Sequence, residues 1–178
     1  MANKQYLLDP ASIDTSRVLA DVDEIRRLNS QRFEMEQLTA VVYQDEQHKI
    51  CAGYKDVSYD EFWVRGHMPG MPIMPGVVMC EVAAQLCSYF ASRLNLMGGQ
   101  MIGFGGLENV RFRDVVRPGD RLVVVCQLLK CRPNAMVSCL FQGFIKESLV
   151  LDGKMIGIPL PVELLKRQEA ERQAARIK

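Results

Sequence analysis

The chain has 178 residues, of which 48% are hydrophobic and 24% are charged, and its formal net charge is +1. These values are typical of an ordinary globular protein that buries a core of its own, so we expect one domain over residues 1–178. A net charge this close to zero excludes a general electrostatic attraction to nucleic acid or to a membrane. Any acidic partner would have to be bound by a local patch.

The cysteines also limit the class of protein. They are Cys51, Cys80, Cys87, Cys126, Cys131 and Cys139. They form no CxxC motif and no Cys/His cluster with zinc spacing, so we predict no metal site. Most lie in apolar stretches, where free cysteine behaves as a small hydrophobic residue, and we expect them reduced in a cytoplasmic protein. The first residues lack a secretory signal, and the longest apolar stretch is too short to span a membrane.

The first third of the chain predicts one helix and two strands. Apolar residues recur at roughly helical spacing over about residues 10–30, and Asp9 with Pro10 supplies a cap and a first-turn proline. Residues 38–44 (LTAVVYQ) and 49–56 (KICAGYKD) are rich in β-branched and aromatic residues, as strands usually are. The polar turn between them contains His48, which we expect to be exposed.

The middle of the chain predicts a constrained loop followed by a buried helix. Six of the eleven residues in GHMPGMPIMPG (66–76) are Gly or Pro, which excludes a regular helix or a central strand. The next segment, VVMCEVAAQLCSYFASRL, is apolar nearly all round, as is typical of a helix inside a core. A polar residue and glycines at 95–99 end this helix.

The last third predicts an antiparallel sheet and a charged tail. Strands are expected at about 101–113, 120–131, 135–147 and 149–158, with turn signals at 117–120, 132–134 and 152–153. Residues 161–178 predict a solvated helix. The element order favours an α+β fold in which one long helix is wrapped by a curved antiparallel sheet over about residues 36–160.

Two residues are candidates for acid–base chemistry. His67 lies in the Gly/Pro-rich loop, where a rigid backbone would hold an imidazole that exchanges protons near neutral pH. Glu81 is the one charged residue between His67 and Arg93, and an unpaired buried carboxylate is costly. Its polar neighbours at helical spacing are Gln85, Ser88 and Ser92. Glu81 therefore either faces a cavity or forms a salt bridge with Arg111 or Arg113 of the sheet.

The start of the buried helix is a candidate binding site for an oxygen atom. The first amides of a helix lack intrahelical partners and lie at the positive end of its dipole. Gly76 has no side chain, so a thioester carbonyl can approach its amide closely. A Pro/Gly helix start chosen only for its geometry explains the same residues. We predict Gly76, Val77 and Gln85 as substrate-binding residues.

The segment GHMPGMPIMPGVVMCEVAAQ (66–85) closely resembles the signature of bacterial 3-hydroxyacyl-acyl-carrier-protein dehydratases of the FabZ type, commonly G-H-F-P-G-x-P-x-x-P-G-V followed by E and A-Q. GLENVRFRDVVRPGDRL (106–122) is similar to the second conserved block of that family. The resemblance covers about residues 57–159. Residues 29–33 read NSQRF where the family usually carries His-Arg-Tyr-Pro-Phe.

The resemblance implies a hotdog fold and a catalytic pair formed by His67 and Glu81. It also implies that Gly76 holds the substrate carbonyl through its amide. Family members form dimers and often hexamers built as trimers of dimers, and each active site pairs the histidine of one subunit with the glutamate of the other. The implied reaction is dehydration of (3R)-hydroxyacyl thioesters to trans-2-enoyl thioesters in fatty-acid synthesis, with no cofactor beyond the phosphopantetheine arm that carries the substrate.

The expected partner is acyl carrier protein. A local cluster of arginines could receive this acidic partner, or could be an ordinary solvated sheet edge; its members are Arg111, Arg113, Arg117 and Arg121. Two other functions remain open from the sequence. One is hydrolysis of acyl thioesters on the same fold, and the other is a catalytically silent subunit that binds acyl chains or assembles with a partner.

Overall fold

The computed structural model describes residues 6–176. Three α-helices and six β-strands follow one another along the chain. The helices are α1 (Val22–Leu28), α2 (Gly76–Arg93) and α3 (Val162–Arg176). The strands are β1 (Ala40–Asp45), β2 (Ile50–Asp56), β3 (Ile102–Phe112), β4 (Arg121–Arg132), β5 (Met136–Ile145) and β6 (Ser148–Pro159). Within residues 6–176, no helix combines the length and the apolar character needed to cross a bilayer.

The six strands form one antiparallel sheet in the order β1-β2-β4-β5-β6-β3. Helix α2 packs against this sheet, mainly on β4, β2 and β5. Its apolar residues are buried on nearly all sides, as Val82, Leu86 and Phe90 illustrate with no exposed surface. One central helix wrapped by a curved antiparallel sheet confirms the predicted α+β hotdog architecture.

The predicted N-terminal helix is wrong for much of its length. The cap at Asp9 exists, because its side chain accepts a hydrogen bond from the Ala11 amide, but it begins only a 3-10 turn over Pro10–Ser12. Helix α1 begins at Val22, capped by the Asp21 carboxylate. Between these points, Ile13 packs on the outer face of the sheet, as Leu7 and Leu8 do ahead of Asp9. Val18 and Leu19 are exposed.

Two of the three predicted turns are confirmed and one is wrong. Residues 117–120 form a turn with Gly119 at a positive φ, and residues 133–135 connect β4 to β5 at the second predicted signal. The third signal, Asp152 with Gly153, lies inside β6. A Cβ at Gly153 would lie 2.8 Å from side-chain atoms of Phe141 and Val110, so this glycine allows neighbouring chains to approach closely. The connection from β5 to β6 falls at residues 146–147.

The loop between β2 and α2 is irregular but well anchored. The Val57 amide donates to the Asp120 carbonyl, and the Met74 amide donates to the Val116 carbonyl at 2.8 Å. Lys55 and Glu61 form an ion pair of 2.7 Å in which both side chains are nearly buried. These contacts fix both ends and the first half of the segment that contains His67.

Candidate active site

The Gly/Pro-rich loop is closed by its own backbone hydrogen bonds. The His67 amide donates to the Trp63 carbonyl at 2.8 Å, and the His67 carbonyl accepts from the Ile73 amide at 2.9 Å. Met68 and Met71 exchange two further backbone bonds. Trp63 is buried beneath this loop. The loop is therefore constrained, as its composition predicts, and its constraint acts directly on the backbone of the histidine.

The imidazole of His67 is held in one tautomer. Its Nδ1 lies 2.7 Å from the Ile73 carbonyl oxygen. A carbonyl can only accept, so Nδ1 carries the proton and donates, and the lone pair of a neutral ring lies on Nε2. The side chain is exposed, and among residues 6–176 its Nε2 has no hydrogen-bond partner. His67 can therefore accept a proton from a molecule outside its own loop.

The first two amides of α2 donate to no acceptor among the described residues. These are the amides of Gly76 and Val77, and the Val77 side chain is 75% exposed. The ring of Phe112 lies over Gly76, and a Cβ built there would be 2.7 Å from it. The helix start therefore combines unpaired donors with a position that admits no side chain without moving an aromatic ring. Binding of a carbonyl by Gly76 and Val77 stays a prediction.

Glu81 is half-buried, and its partners are amides. Its Oε1 accepts from Gln85 Nε2 at 2.7 Å and from Gln31 Nε2 at 3.2 Å. The proposed salt bridge to an arginine of the sheet is absent among the described residues, because Arg113 pairs with Asp152 and Arg111 has no ion pair. Of the two alternatives from the sequence, the structure supports a carboxylate that faces a cavity.

Gln85 is fully used by the protein. Its Oε1 accepts from the amides of Gln37 and Leu38 at 2.9 and 3.1 Å, while its Nε2 donates to the Met35 carbonyl and to Glu81. It is 2% exposed. The amide orientation is fixed, because the reverse orientation would direct its NH2 group at two N–H donors. Gln85 thus fastens residues 35–38 to α2 and orients Glu81, whereas its predicted contact with substrate stays a prediction.

A cavity of about 500 Å³ lies beside Glu81. It extends along α2 past Ala84 and Cys87 to Ser88, a rise of about 10 Å. Its remaining walls come from residues 28–35 and from β3, β5 and β6, with apolar side chains such as Met35, Ile102, Phe104, Val137, Met155, Ile156 and Leu160. A long apolar chain with a polar group at its Glu81 end matches such a space.

The structure does not bring the two predicted catalytic residues together within one chain. Glu81 lines the cavity, whereas His67 lies outside it on the exposed loop. The resemblance accounts for this separation, because in the family the pair is completed across two subunits. The pairing in this protein stays a prediction.

Sequence reasoning missed Gln31. It donates to Glu81 and lines the cavity, but it lies between α1 and the 3-10 turn Phe33–Met35, where no periodic pattern assigns a face to any residue. The available signal was indirect. Residues 29–33 depart from the family pattern, and a polar residue in such a stretch has to find a partner.

Two of the four arginines in the predicted cluster form ion pairs and two do not. Arg113 is bound to Asp152, and Arg121 is bound to Asp56 and lies 3.9 Å from the centre of the Tyr54 ring. The guanidinium groups of Arg111 and Arg117 are exposed, with no ion pair among residues 6–176. The latter two therefore retain most of the charge that an acidic partner would meet.

The cysteines are all free, as predicted, and five of the six are buried. Cys87 and Cys139 also line the cavity. Burial raises the pKa of the Cys51 and Cys87 thiols, and it raises the pKa of Cys80 to about 11. These groups stay protonated and act as apolar packing. Cys131 is the exception, since it is exposed on β4.

Comparisons with known proteins agree with this geometry. The model of the FabA-like domain matches residues 29–156. The 3-hydroxyacyl-[acyl-carrier-protein] dehydratase FabZ of Lawsonia intracellularis is 36% identical over 108 residues, which are 58% of this chain and 69% of that protein. The FabZ of Clostridioides difficile is 30% identical over 138 residues, which are 78% of this chain and 96% of that protein. The chain belongs to the FabA-like family.

The matched region contains both the Gly/Pro-rich loop and the cavity, and it begins at Asn29, ahead of the residues that bind Glu81. Among solved structures, the dehydratase heterocomplex ApeI:P from Xenorhabdus doucetiae superimposes with a TM-score of 0.66 at 17% identity, covering 80% of this chain and 95% of that one. At this identity the likeness shows the shared hotdog fold.

Proposed function

We propose that this FabA-like chain dehydrates (3R)-hydroxyacyl thioesters to trans-2-enoyl thioesters. The observation that carries the proposal is the combination of an imidazole whose Nε2 is kept free by Ile73 and a carboxylate that opens on an apolar cavity. The relatives from Lawsonia intracellularis and Clostridioides difficile are named 3-hydroxyacyl-[acyl-carrier-protein] dehydratases, which favours carrier-bound substrates and fatty-acid synthesis.

In the proposed reaction, Nε2 of His67 removes a proton from C2 of the substrate. The thioester carbonyl accepts hydrogen bonds from the Gly76 and Val77 amides, which stabilise the negative charge that develops on its oxygen. The C2–H electron pair becomes the C2–C3 double bond while Glu81 donates a proton to the C3 hydroxyl, which leaves as water. His67 then releases its extra proton to solvent, and Glu81 takes up a proton from solvent. No metal or organic cofactor takes part in the proposed reaction.

We propose that the active site is completed in a homodimer, with His67 of one subunit facing Glu81 of the other. The support is that His67 does not line the Glu81 cavity of its own chain. Strand β3 is at the edge of the sheet, and it carries the exposed apolar residues Phe104, Leu107 and Phe112. An exposed apolar edge strand favours pairing with another strand. A hexamer built as a trimer of such dimers is the second assembly to test, by light scattering.

The decisive assay uses the purified protein with 3-hydroxyacyl and saturated acyl thioesters of several lengths, each on acyl carrier protein. Dehydration gives enoyl absorbance without free thiol, whereas hydrolysis releases a thiol. We expect enoyl formation alone. Thiol release without enoyl absorbance would instead show that the protein is an acyl-thioester hydrolase. The absence of both signals would favour a catalytically silent subunit that binds acyl chains.

The histidines offer a matched pair of variants. His67→Ala should lower kcat by roughly 100-fold or more, because general base catalysis contributes about that much. His48→Ala is the control, since His48 is exposed in the β1–β2 turn and its Nδ1 pairs with Asp45. This variant should keep wild-type turnover. Equal turnover of the two variants would refute the proposed role of His67.

A further inference from the structure

The carboxyl group of Glu81 has two unequal oxygens. Oε1 accepts two hydrogen bonds, from Gln85 at 2.7 Å and from Gln31 at 3.2 Å. Oε2 has no hydrogen-bond partner among residues 6–176, and Glu81 lines the cavity. When the carboxyl group carries a proton, that proton therefore lies on Oε2, because both amide groups can only donate to Oε1.

The two amides come from opposite sides of Glu81. Gln85 lies one helical turn along α2, whereas Gln31 comes from the irregular segment after α1. Together they restrict rotation of the carboxyl group about its last side-chain bond, since turning its plane away from the two donors would break both hydrogen bonds. These bonds strengthen as the carboxyl group gives up its proton, because a hydrogen bond to a charged acceptor is stronger than one to a neutral acceptor.

The segment that contains Gln31 is itself held in place. Asn29 Nδ2 donates to the Gln85 carbonyl at 2.9 Å. The guanidinium of Arg32 donates to the carbonyls of Asn29, Gln31 and Arg26. Gln85 binds Met35 and the amides of residues 37 and 38 beyond it. Gln31 is thus a built part of the site, positioned by bonds on both sides.

We infer that Gln31 is a positioning residue, which together with Gln85 reserves the Oε2 atom of Glu81 for proton transfer to the substrate hydroxyl. The inference rests on the proposed dehydration. Gln31 does not itself contact the reacting atoms in this role. Its loss leaves Oε1 with one donor, so the plane of the carboxyl group is held less firmly and the proton can also occupy the oxygen that is turned away from the cavity.

The first test replaces Gln31 by Met, which keeps length and volume but removes the donor. We expect kcat to fall roughly tenfold, the effect of one charge-assisted hydrogen bond, with KM changed by less than about twofold. The matched control is Gln47→Met, because Gln47 is exposed in the β1–β2 turn. It should leave both constants unchanged. A Gln31→Met variant with wild-type kcat, or with a loss confined to KM, would overturn the inference.

The second test uses Gln31→Glu. Two carboxyl groups in contact resist double ionisation, so the new carboxyl group donates to Oε1 while Oε2 keeps its proton for the substrate only where both groups are protonated. The ratio of Gln31→Glu kcat to wild-type kcat should rise as the pH falls from about 8 to about 5, whereas the Gln31→Met ratio stays flat. A Gln31→Glu ratio that stays as flat as the Gln31→Met ratio would refute the inference, because the protonated side chain would then not have replaced the lost donor.

The pH comparison uses ratios because other ionisable groups face Glu81, and in the proposed dimer these include His67 of the other subunit, which is the same in every variant. The other ionisable groups lining the cavity are Arg32, Cys87 and Cys139. The arginine is bound to three backbone carbonyls, and both thiols are buried, so they are common to all variants. Wild-type turnover is measured first. Its absence would refute the proposed function together with the inference, whereas wild-type dehydration with unchanged Gln31 variants would refute the inference alone.

Discussion

At the scale of single residues, the two histidines show how local backbone decides chemistry. Each has its Nδ1 2.7 Å from an oxygen atom. The partner of His48 is the Asp45 carboxylate on an exposed turn, whereas the partner of His67 is a neutral carbonyl that fixes a tautomer. The same side chain is thus a surface ion-pair partner in one place and a candidate base in the other.

The polar face of α2 was predicted as one unit, but its residues divide between two environments. Glu81 and Ser88 line the cavity, while Gln85 is buried against the backbone of residues 35–38. Helical spacing places these residues on one side of the helix. It does not reveal which of them meets a neighbouring segment, because that depends on a chain far away in the sequence.

The thiols give a prediction at this scale. Native protein treated with a disulfide reagent at pH 8 should show one fast-reacting thiol per chain, from Cys131, and five that react roughly 100-fold more slowly or not at all. Burial limits access to the five and raises the pKa of Cys80 to about 11, which lowers its thiolate fraction. Cys131→Ser should remove the fast phase, and a fast phase that survives this change would contradict the assignment.

At the scale of elements, the position of the loop before α2 depends on an ion pair that the Gly/Pro-rich composition of the loop does not predict. Lys55 is the last residue but one of β2 and Glu61 lies in the loop, with side-chain exposures of 7% and 11%. Trp63, two residues later, is packed in the core, and its carbonyl oxygen accepts a hydrogen bond from the His67 amide. The pair therefore couples the sheet to the segment that positions the candidate base.

Breaking that pair on one side should be costly. Lys55→Met leaves the Glu61 charge buried and unpaired, so we expect a loss of about 3–5 kcal/mol in the free energy of unfolding, measured by urea denaturation. Replacing both residues by Met should recover part of this loss, because no unpaired charge remains. A single variant as stable as the wild type would show that the pair contributes little.

The N-terminal segment shows the opposite case, in which a helix cap predicted from the sequence is present but the helix that follows it is only a 3-10 turn. Asp9 does cap a helical turn, yet Ile13 just after it packs on the outer face of the sheet. Val18 and Leu19, which follow, are exposed. Apolar spacing close to a helical period is satisfied equally well by an extended segment that crosses a flat apolar surface. Tertiary packing overrode local propensity there.

At the scale of the whole molecule, the arrangement of charge separates free from neutralised arginines. The prediction concerns binding of an acidic carrier protein. Arg111→Glu combined with Arg117→Glu should raise KM for carrier-bound substrate by roughly tenfold and leave KM for a small soluble thioester unchanged, because only the former depends on surface charge. Raised salt should increase the wild-type KM for carrier-bound substrate toward that of the variant, because salt screens the attraction between surface charges.

The matched comparison uses the two paired arginines. Arg113→Ala and Arg121→Ala remove charges that Asp152 and Asp56 already neutralise, so they should change KM for the carrier-bound substrate much less. An equal effect of both sets would show that the whole cluster, or none of it, serves as the contact.

The sequence by itself determined the buried helix, the succession of strands along the chain and the loop that contains His67. Gly/Pro content and apolar patterning act over a few neighbouring residues, so a local pattern is enough to predict these elements. It also marked Glu81 as unusual, since a charge inside an apolar helix has few physical explanations. Tertiary structure alone decided what that charge meets. The contacts of Gln31 and Gln85 with Glu81, and the neutralisation of two arginines by distant aspartates, join residues far apart in the chain, and no local pattern encodes such distances.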